Sequence, residues 1–194
     1  MNLHYSVLLQ ESIELLNIKP DGVYVDGTLG RGGHTRELLA CLNQSGRLIS
    51  FDKDPEAIAY ASANIQDQRL QVVHDSFANI VIRLKELSID HVDGVLLDLG
   101  VSSPQIDTPE RGFSFRFDAP LDMRMDNSKG VSAAEWINNA SEFELADIFW
   151  RYGEEKFSRR IARAIVATRG EKPLLTTTQL ANLIESLIPY KEKG

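Results

Sequence analysis

The chain has 194 residues, 43% apolar and 25% charged, with a formal net charge of −7. That is the composition of a globular protein of one or two domains, and it excludes a low-complexity or disordered chain. No apolar run approaches the ~20 residues needed to span a bilayer, and Met1-Asn2-Leu3-His4 lacks the basic-then-apolar layout of a secretory leader. Cys41 is the only cysteine, so no internal disulfide can form. A reducing cytoplasm and no membrane partner are therefore expected. Cys41 falls beside Leu38 and Leu42 and reads as a small core residue rather than a nucleophile.

Residues 1–100 alternate short apolar runs with amphipathic stretches. Strands are expected near 23–26, 47–52, 70–74 and 92–98, and helices near 8–17, 33–43, 55–64 and 77–87. That order predicts an α/β fold: a Rossmann-like parallel sheet covered on both faces. Val23-Tyr24-Val25-Asp26 breaks into Gly27-Thr28-Leu29-Gly30-Arg31-Gly32-Gly33-His34, a glycine-rich turn that runs straight into a helix. Glycine permits positive φ and close backbone approach, and a helix N-terminus offers free N–H donors to a polar ligand.

The spacing Gly27-x-x-Gly30-x-Gly32-Gly33 is not the G-x-G-x-x-G of dinucleotide sites. It fits better the acid-x-Gly-x-Gly-x-Gly pattern of S-adenosylmethionine-dependent methyltransferases, with Asp26 as the acid and Thr28 in place of the first glycine. An acid beside the turn suits a cationic ligand and repels a pyrophosphate. The second strand closes on Asp52, where nucleotide-binding folds place an acceptor for ribose hydroxyls. Asp54 and Pro55 already supply the start of the next helix, which leaves Asp52 for that task; the competing reading is a solvated acid. Phe77, after the third strand, is read either as a contact for an adenine face or as helix core. Asp98 leaves the carboxyl end of the fourth strand, where doubly wound sheets hold ligands, and no periodic helix starts there for it to cap.

Residues 104–130 carry Pro104, Pro109, Gly112, Pro120 and Gly130 with little periodicity, as in a long functional loop. Within it Phe113, Phe115 and Phe117 alternate with other residues, which fits a strand edge, a loop core, or stacking on an extruded base. From 132 onward the chain reads as helices without a strand, with capping-box starts at Ser132…Glu135, Ser141…Glu144 and Thr176…Gln179. The expected division is 1–105 for cofactor binding and 106–194 for a loop and helical, substrate-recognising domain.

Charge is unevenly spread. Residues 1–150 hold 12 basic and 23 acidic side chains, whereas 151–172 hold seven basic against three acidic. Lys156, Arg159, Arg160 and Arg163 fall at i, i+3, i+4, i+7, one helical face, with Phe157, Ile161, Ala164 and Ile165 expected opposite and buried. That face could lie against RNA phosphates or be a solvated surface paired with Glu154 and Glu155. His4, His34, His74 and His91 are scattered, so no metal site is expected.

Several stretches together resemble the bacterial 16S rRNA cytosine-N4 methyltransferase family (RsmH/MraW). They are Asp26–His34, Leu97–Gln105, Glu110–Phe115, Pro120–Asp126, Ala133–Trp136 and Tyr152–Phe157 with Arg160–Ile165. The resemblance covers nearly the whole chain. It implies methyl transfer from S-adenosyl-L-methionine to the exocyclic amine of a cytidine in the decoding centre of the small subunit. It also implies cofactor contacts from Gly32, Gly33, His34, Asp52, Phe77, Asp98 and Gln105. Ala119 stands where the family has glycine before Pro120. Many amino-methyltransferases carry Asp/Asn-Pro-Pro-aromatic where this chain has Asp98-Leu99-Gly100-Val101; Asp98 remains the catalytic candidate. The family chain continues past Pro189–Gly194 for roughly a hundred residues. By that resemblance this is a C-terminally truncated chain with an incomplete sheet and a helical insertion. A lack of normal activity, and either reduced stability or self-association, with a homodimer as one form, are then expected. A nicotinamide-dependent oxidoreductase and a non-catalytic RNA-binding assembly factor are the competing classes.

Overall fold

The computed structural model describes residues 7–188. The two termini, on which the leader and continuation readings rest, lie outside the described residues. The chain divides into two compact units, Met1–Gly100 and Val101–Gly194.

In the first unit four strands, β1 (Val23–Asp26), β2 (Arg47–Asp52), β3 (Leu70–His74) and β4 (Gly94–Leu96), form one parallel sheet in the order β3-β2-β1-β4. Tyr24 lies opposite Leu48 and Val25 opposite Ile49. Because strand side chains alternate, Tyr24 and Leu48 fall on one face, packed with Leu38, Leu39 and Leu42 of the α2 region (helix α2, Gly33–Cys41). Ile13 and Leu16 of α1 (Leu9–Leu16) join that face. Val25, Ile49 and Phe51 fall on the other, against Leu84 of α4 (Ile80–Glu86) and Ile89. Between β2 and β3 runs α3 (Pro55–Asn64), started by Asp54, which accepts the Glu56 N–H at 2.9 Å. The α/β sheet read from the sequence is present, with β4 shorter than expected and ending at Leu96.

Cys41 is a correction. It is exposed, because the buried stripe of α2 runs through Thr35, Leu38 and Leu39 and on to Leu42, and position 41 lies off that stripe.

The second unit holds α5 (Ser103–Asp107), a 3-10 turn (Pro109–Arg111), α6 (Ala133–Asn139), α7 (Glu142–Arg151), α8 (Ser158–Glu171) and α9 (Thr177–Leu187). Leu121, Ile137, Leu145, Ile161, Ala162, Ile165 and Leu174 form its core. Ser132, Ser141 and Thr176 cap α6, α7 and α9, the latter two with reciprocal capping boxes. Asn138 clasps Leu174 through both its amide atoms, at 2.7 and 3.1 Å. The stretch 104–130 is less of a loop than its composition predicts. It contains α5 and the 3-10 turn, and buried Arg111 donates to the carbonyls of Arg124 and Met125 at 3.2 and 2.8 Å. Among the described residues no helix is long and apolar enough to cross a membrane.

Candidate cofactor site

The chain moves outward from β1 through β2 to β3 and then returns to place β4 on the other side of β1. The switch point between β1 and β4 lies at their carboxyl ends, where such sheets bind ligands. There the glycine turn begins: Gly27 N–H donates to the Leu96 carbonyl at 2.9 Å, tying the two strand ends together. A Cβ on Gly27 would sit 2.3 Å from Leu97 Cδ2 and 3.1 Å from Phe77 Cβ. The glycine therefore makes room first for Leu97 and then for Phe77, which is partly exposed beside the turn.

Two carboxylates, of Asp26 and Asp52, and the backbone N–H of Asp98 fasten the turn. Asp26 is fully buried; its Oδ2 accepts the Thr35 hydroxyl at 2.6 Å and its Oδ1 the Thr28 N–H at 3.0 Å. Thr35 Oγ1 lies 3.0 Å from Ser50 Oγ, so with the Thr35 proton on Asp26 the Ser50 hydroxyl is the donor. Burial pushes the Asp26 carboxyl above its ordinary range. Asp52 also rises through burial, although its Oδ2 accepts Gly30 N–H at 2.8 Å and its Oδ1 Asp54 N–H at 2.9 Å. Asp52 thus pins the turn, a task beyond the ribose binding expected of it; its remaining lone pairs can still accept hydroxyls. Asp98, half-exposed, donates its N–H to Thr28 Oγ1 at 2.8 Å. Thr28, which replaces the first glycine of the pattern, thereby links the turn to the β4 exit.

Gly30 and Gly32 adopt φ of 51° and 75°, and Gly32 is the residue before α2. Having no side chain, Gly32 leaves the first N–H groups of α2 without a side-chain cap. His34, in that first turn, is 5% exposed, and its Nδ1 stands 3.9 Å from Asp98 Oδ2. Its Nε2 is buried without a hydrogen-bond partner among the described residues. An orphaned buried nitrogen, uncapped helix donors and two carboxylates at a strand switch fit a ligand with both cationic and hydroxyl groups.

Of the residues expected at the cofactor, Gly32, Gly33, His34, Asp52, Phe77 and Asp98 lie in the first unit at the carboxyl edge of its sheet. Gln105 lies in the second unit. It is buried, and its Oε1 accepts the Ser102 N–H at 2.9 Å in the capping box of α5. The Ser102-x-x-Gln105 spacing is the sequence signal of that role, whereas the Thr28–Asp98 link, seventy residues apart, has none.

The basic face differs in detail. Helix α8 starts at Ser158, so Lys156 lies in the turn before it, outside the helical series. Arg159, Arg160 and Arg163 are exposed on α8, and Arg163 Nε lies 3.6 Å from Glu142 Oε1 rather than from Glu154 or Glu155. Phe157 is 36% exposed, and Ser158 and Ala162 take buried positions expected of Phe157 and Ala164. Phe115 and Phe117 are exposed and belong to no strand, while Phe113 and Phe115 line a cavity of about 270 Å³ beside α9. Among the described residues no cluster of metal-ligating side chains occurs.

The sequence matches the model of the MraW methylase family over residues 1–194. The chain belongs to that family. Ribosomal RNA small subunit methyltransferase H of Neisseria meningitidis serogroup B is 57% identical over 192 residues, covering 98% of this chain and 58% of the relative. The protein of the same name from Chromobacterium violaceum is 55% identical over 193 residues, covering 99% and 60%. That from Methylobacillus flagellatus is 56% identical over 192 residues, covering 98% and 60%. The chain thus spans about three-fifths of the length of these MraW-family relatives.

Proposed function

We propose that this MraW-family chain binds S-adenosylmethionine at the β1/β4 switch point and serves N4-methylation of a cytidine in 16S rRNA, in the cytoplasm. The observation that carries the reading is the meeting of the Gly30–Gly32 turn, Asp52 and the His34–Asp98 pair at one sheet end. Asp52 and the partly exposed Phe77 would hold the ribose and adenine. The uncapped start of α2 and His34 Nε2 would hold the polar methionine end, with Asp26 supplying negative potential beneath. When bound, the cofactor supplies an electrophilic methyl on a sulfonium.

The chain's own task is to ready the amine. An exocyclic cytosine nitrogen is a weak nucleophile because its lone pair is delocalised into the ring. Asp98, half-exposed where β4 ends, can accept an amine N–H, which raises electron density on nitrogen and orients the lone pair. The displaced proton then leaves through Asp98 to solvent. Gln105, which the resemblance implies as a cofactor contact, is buried in the capping box of α5 within the second unit, which supports a positioning part for it there. Lys156, Arg159, Arg160 and Arg163 supply the cations for the rRNA backbone.

The test is to incubate isolated small ribosomal subunits with the protein and methyl-labelled cofactor and map the modified base. The expected product carries label on the exocyclic nitrogen of a cytidine, and Asp98→Asn slows its formation by about a hundredfold. Label on another atom, or an Asp98→Asn protein that binds cofactor and methylates at the normal rate, would overturn the reading.

A further inference from the structure

Asp98 stands on a stretch of chain with little of its own to hold it. β4 ends at Leu96. Among the described residues, the stretch 97–100 makes no backbone–backbone hydrogen bond, and Leu97 and Leu99 are exposed. The one hydrogen bond it makes there runs from the Asp98 N–H to Thr28 Oγ1, at 2.8 Å. Its other anchor is Leu97, whose Cδ2 occupies the space that a Cβ on Gly27 would need. Both anchors rest on consecutive residues of the glycine turn.

The Thr28 hydroxyl is itself held. An amide N–H can only donate, so Thr28 Oγ1 is the acceptor, and its own proton can turn to Asp26 Oδ1 at 3.5 Å. The same Asp26 oxygen takes the Thr28 N–H at 3.0 Å, and the other takes the Thr35 hydroxyl at 2.6 Å. Asp26 is fully buried at the end of β1, so the acceptor offered to Asp98 is set by a carboxylate that cannot swing. The glycine that the methyltransferase pattern carries at position 28 would leave the Asp98 N–H without this partner. On the side-chain end, Asp98 Oδ2 stands 3.9 Å from His34 Nδ1, at the far end of the same turn. The turn therefore seats Asp98 at both its backbone and its carboxylate.

We infer that Thr28 is a positioning residue for the methyl transfer: its hydroxyl fixes where the Asp98 carboxylate meets the amine. The acid is thereby seated by the turn that binds the cofactor. This rests on the proposed function and deepens it. The contribution of a catalytic group falls steeply when it is misplaced, so loss of the hydroxyl slows the transfer more than it weakens the cofactor.

The test compares wild type, Thr28→Val and Thr28→Ser in the 194-residue chain. Three quantities are read: hydrogen exchange at the Asp98 amide by NMR, calorimetric affinity for S-adenosylmethionine, and the single-turnover rate of label transfer to isolated small ribosomal subunits at saturating cofactor. Thr28→Val keeps the branched shape and loses the acceptor. It is expected to speed Asp98 exchange and slow transfer, each about tenfold, while cofactor affinity changes less than about threefold. Thr28→Ser, which keeps the acceptor, restores exchange and rate. In an Asp98→Asn background Thr28→Val costs no further rate, because the group it positions is gone. Wild-type exchange and rate in Thr28→Val would overturn the inference alone. So would an affinity loss as large as the rate loss that serine does not restore, since Thr28 would then only shape the turn. A wild-type chain that labels no cytidine would overturn the proposed function and this inference with it.

Discussion

Asp26, Asp52, Asp75 and Asp98 all lie at the same sheet end, yet their surroundings give them different work. Asp75 accepts from Asn79 at 2.9 Å and from Arg83 at 2.6 Å, which holds its carboxyl down at about 2 from an ordinary 3.8. A depressed carboxyl stabilises the fold above its unfolded value and loses that contribution as pH falls toward the folded one. Urea melts of the protein are therefore expected to lose stability between pH 3.8 and about 2, and Asp75→Asn to lose less of it over that window. Asp26 and Asp52 have the opposite sign: burial raises them, so the folded state holds extra protons just above 3.8 and their contribution falls as pH rises. Asp52 and Asp98 were legible in the sequence because they follow apolar strands. The second task of Asp52 was not, since a backbone N–H twenty-two residues away has no sequence signal. Gln105 and Cys41 show the same limit from the other side, where a short helix and a narrow buried stripe decided the outcome.

Elements were read well where periodicity or caps spoke. Strands β1, β2 and β3 coincide with their expected spans, and Ser132, Ser141 and Thr176 start helices as expected. The start of α8 was misread because Lys156 and Phe157 continue the helical spacing, although Gly153 and the positive φ of Glu154 break the chain just before. In the helical unit Leu145 is completely buried among Ile137, Ile161 and Ile165. Leu145→Ala leaves a cavity among these branched neighbours and is expected to cost about 2–5 kcal/mol. Ser141→Ala, which removes only a cap, should cost about 1 kcal/mol. Thermal melts of the two variants check the order; equal losses would mean that α7 is held by its cap rather than by its core face.

At the scale of the whole chain, the return of β4 to the side of β1 creates the switch point, and no local pattern encodes that return. It follows from right-handed crossovers and from which strand faces need covering. Among the described residues β4 pairs only with β1; Val95 is exposed on it, and Leu97 and Leu99 are exposed in the segment that follows. The self-association expected from the sequence would act at that edge. The chain spans 58% of the length of its Neisseria meningitidis relative, and the proposed cofactor site is built from residues of the first unit. The most direct test is therefore a calorimetric titration of the protein with S-adenosylmethionine, repeated on Asp52→Asn. The wild-type chain is expected to saturate at one site per molecule, with affinity about tenfold or more above that of the variant. A folded chain that does not saturate, or equal affinity in both proteins, would contradict a cofactor site built on the glycine turn and Asp52.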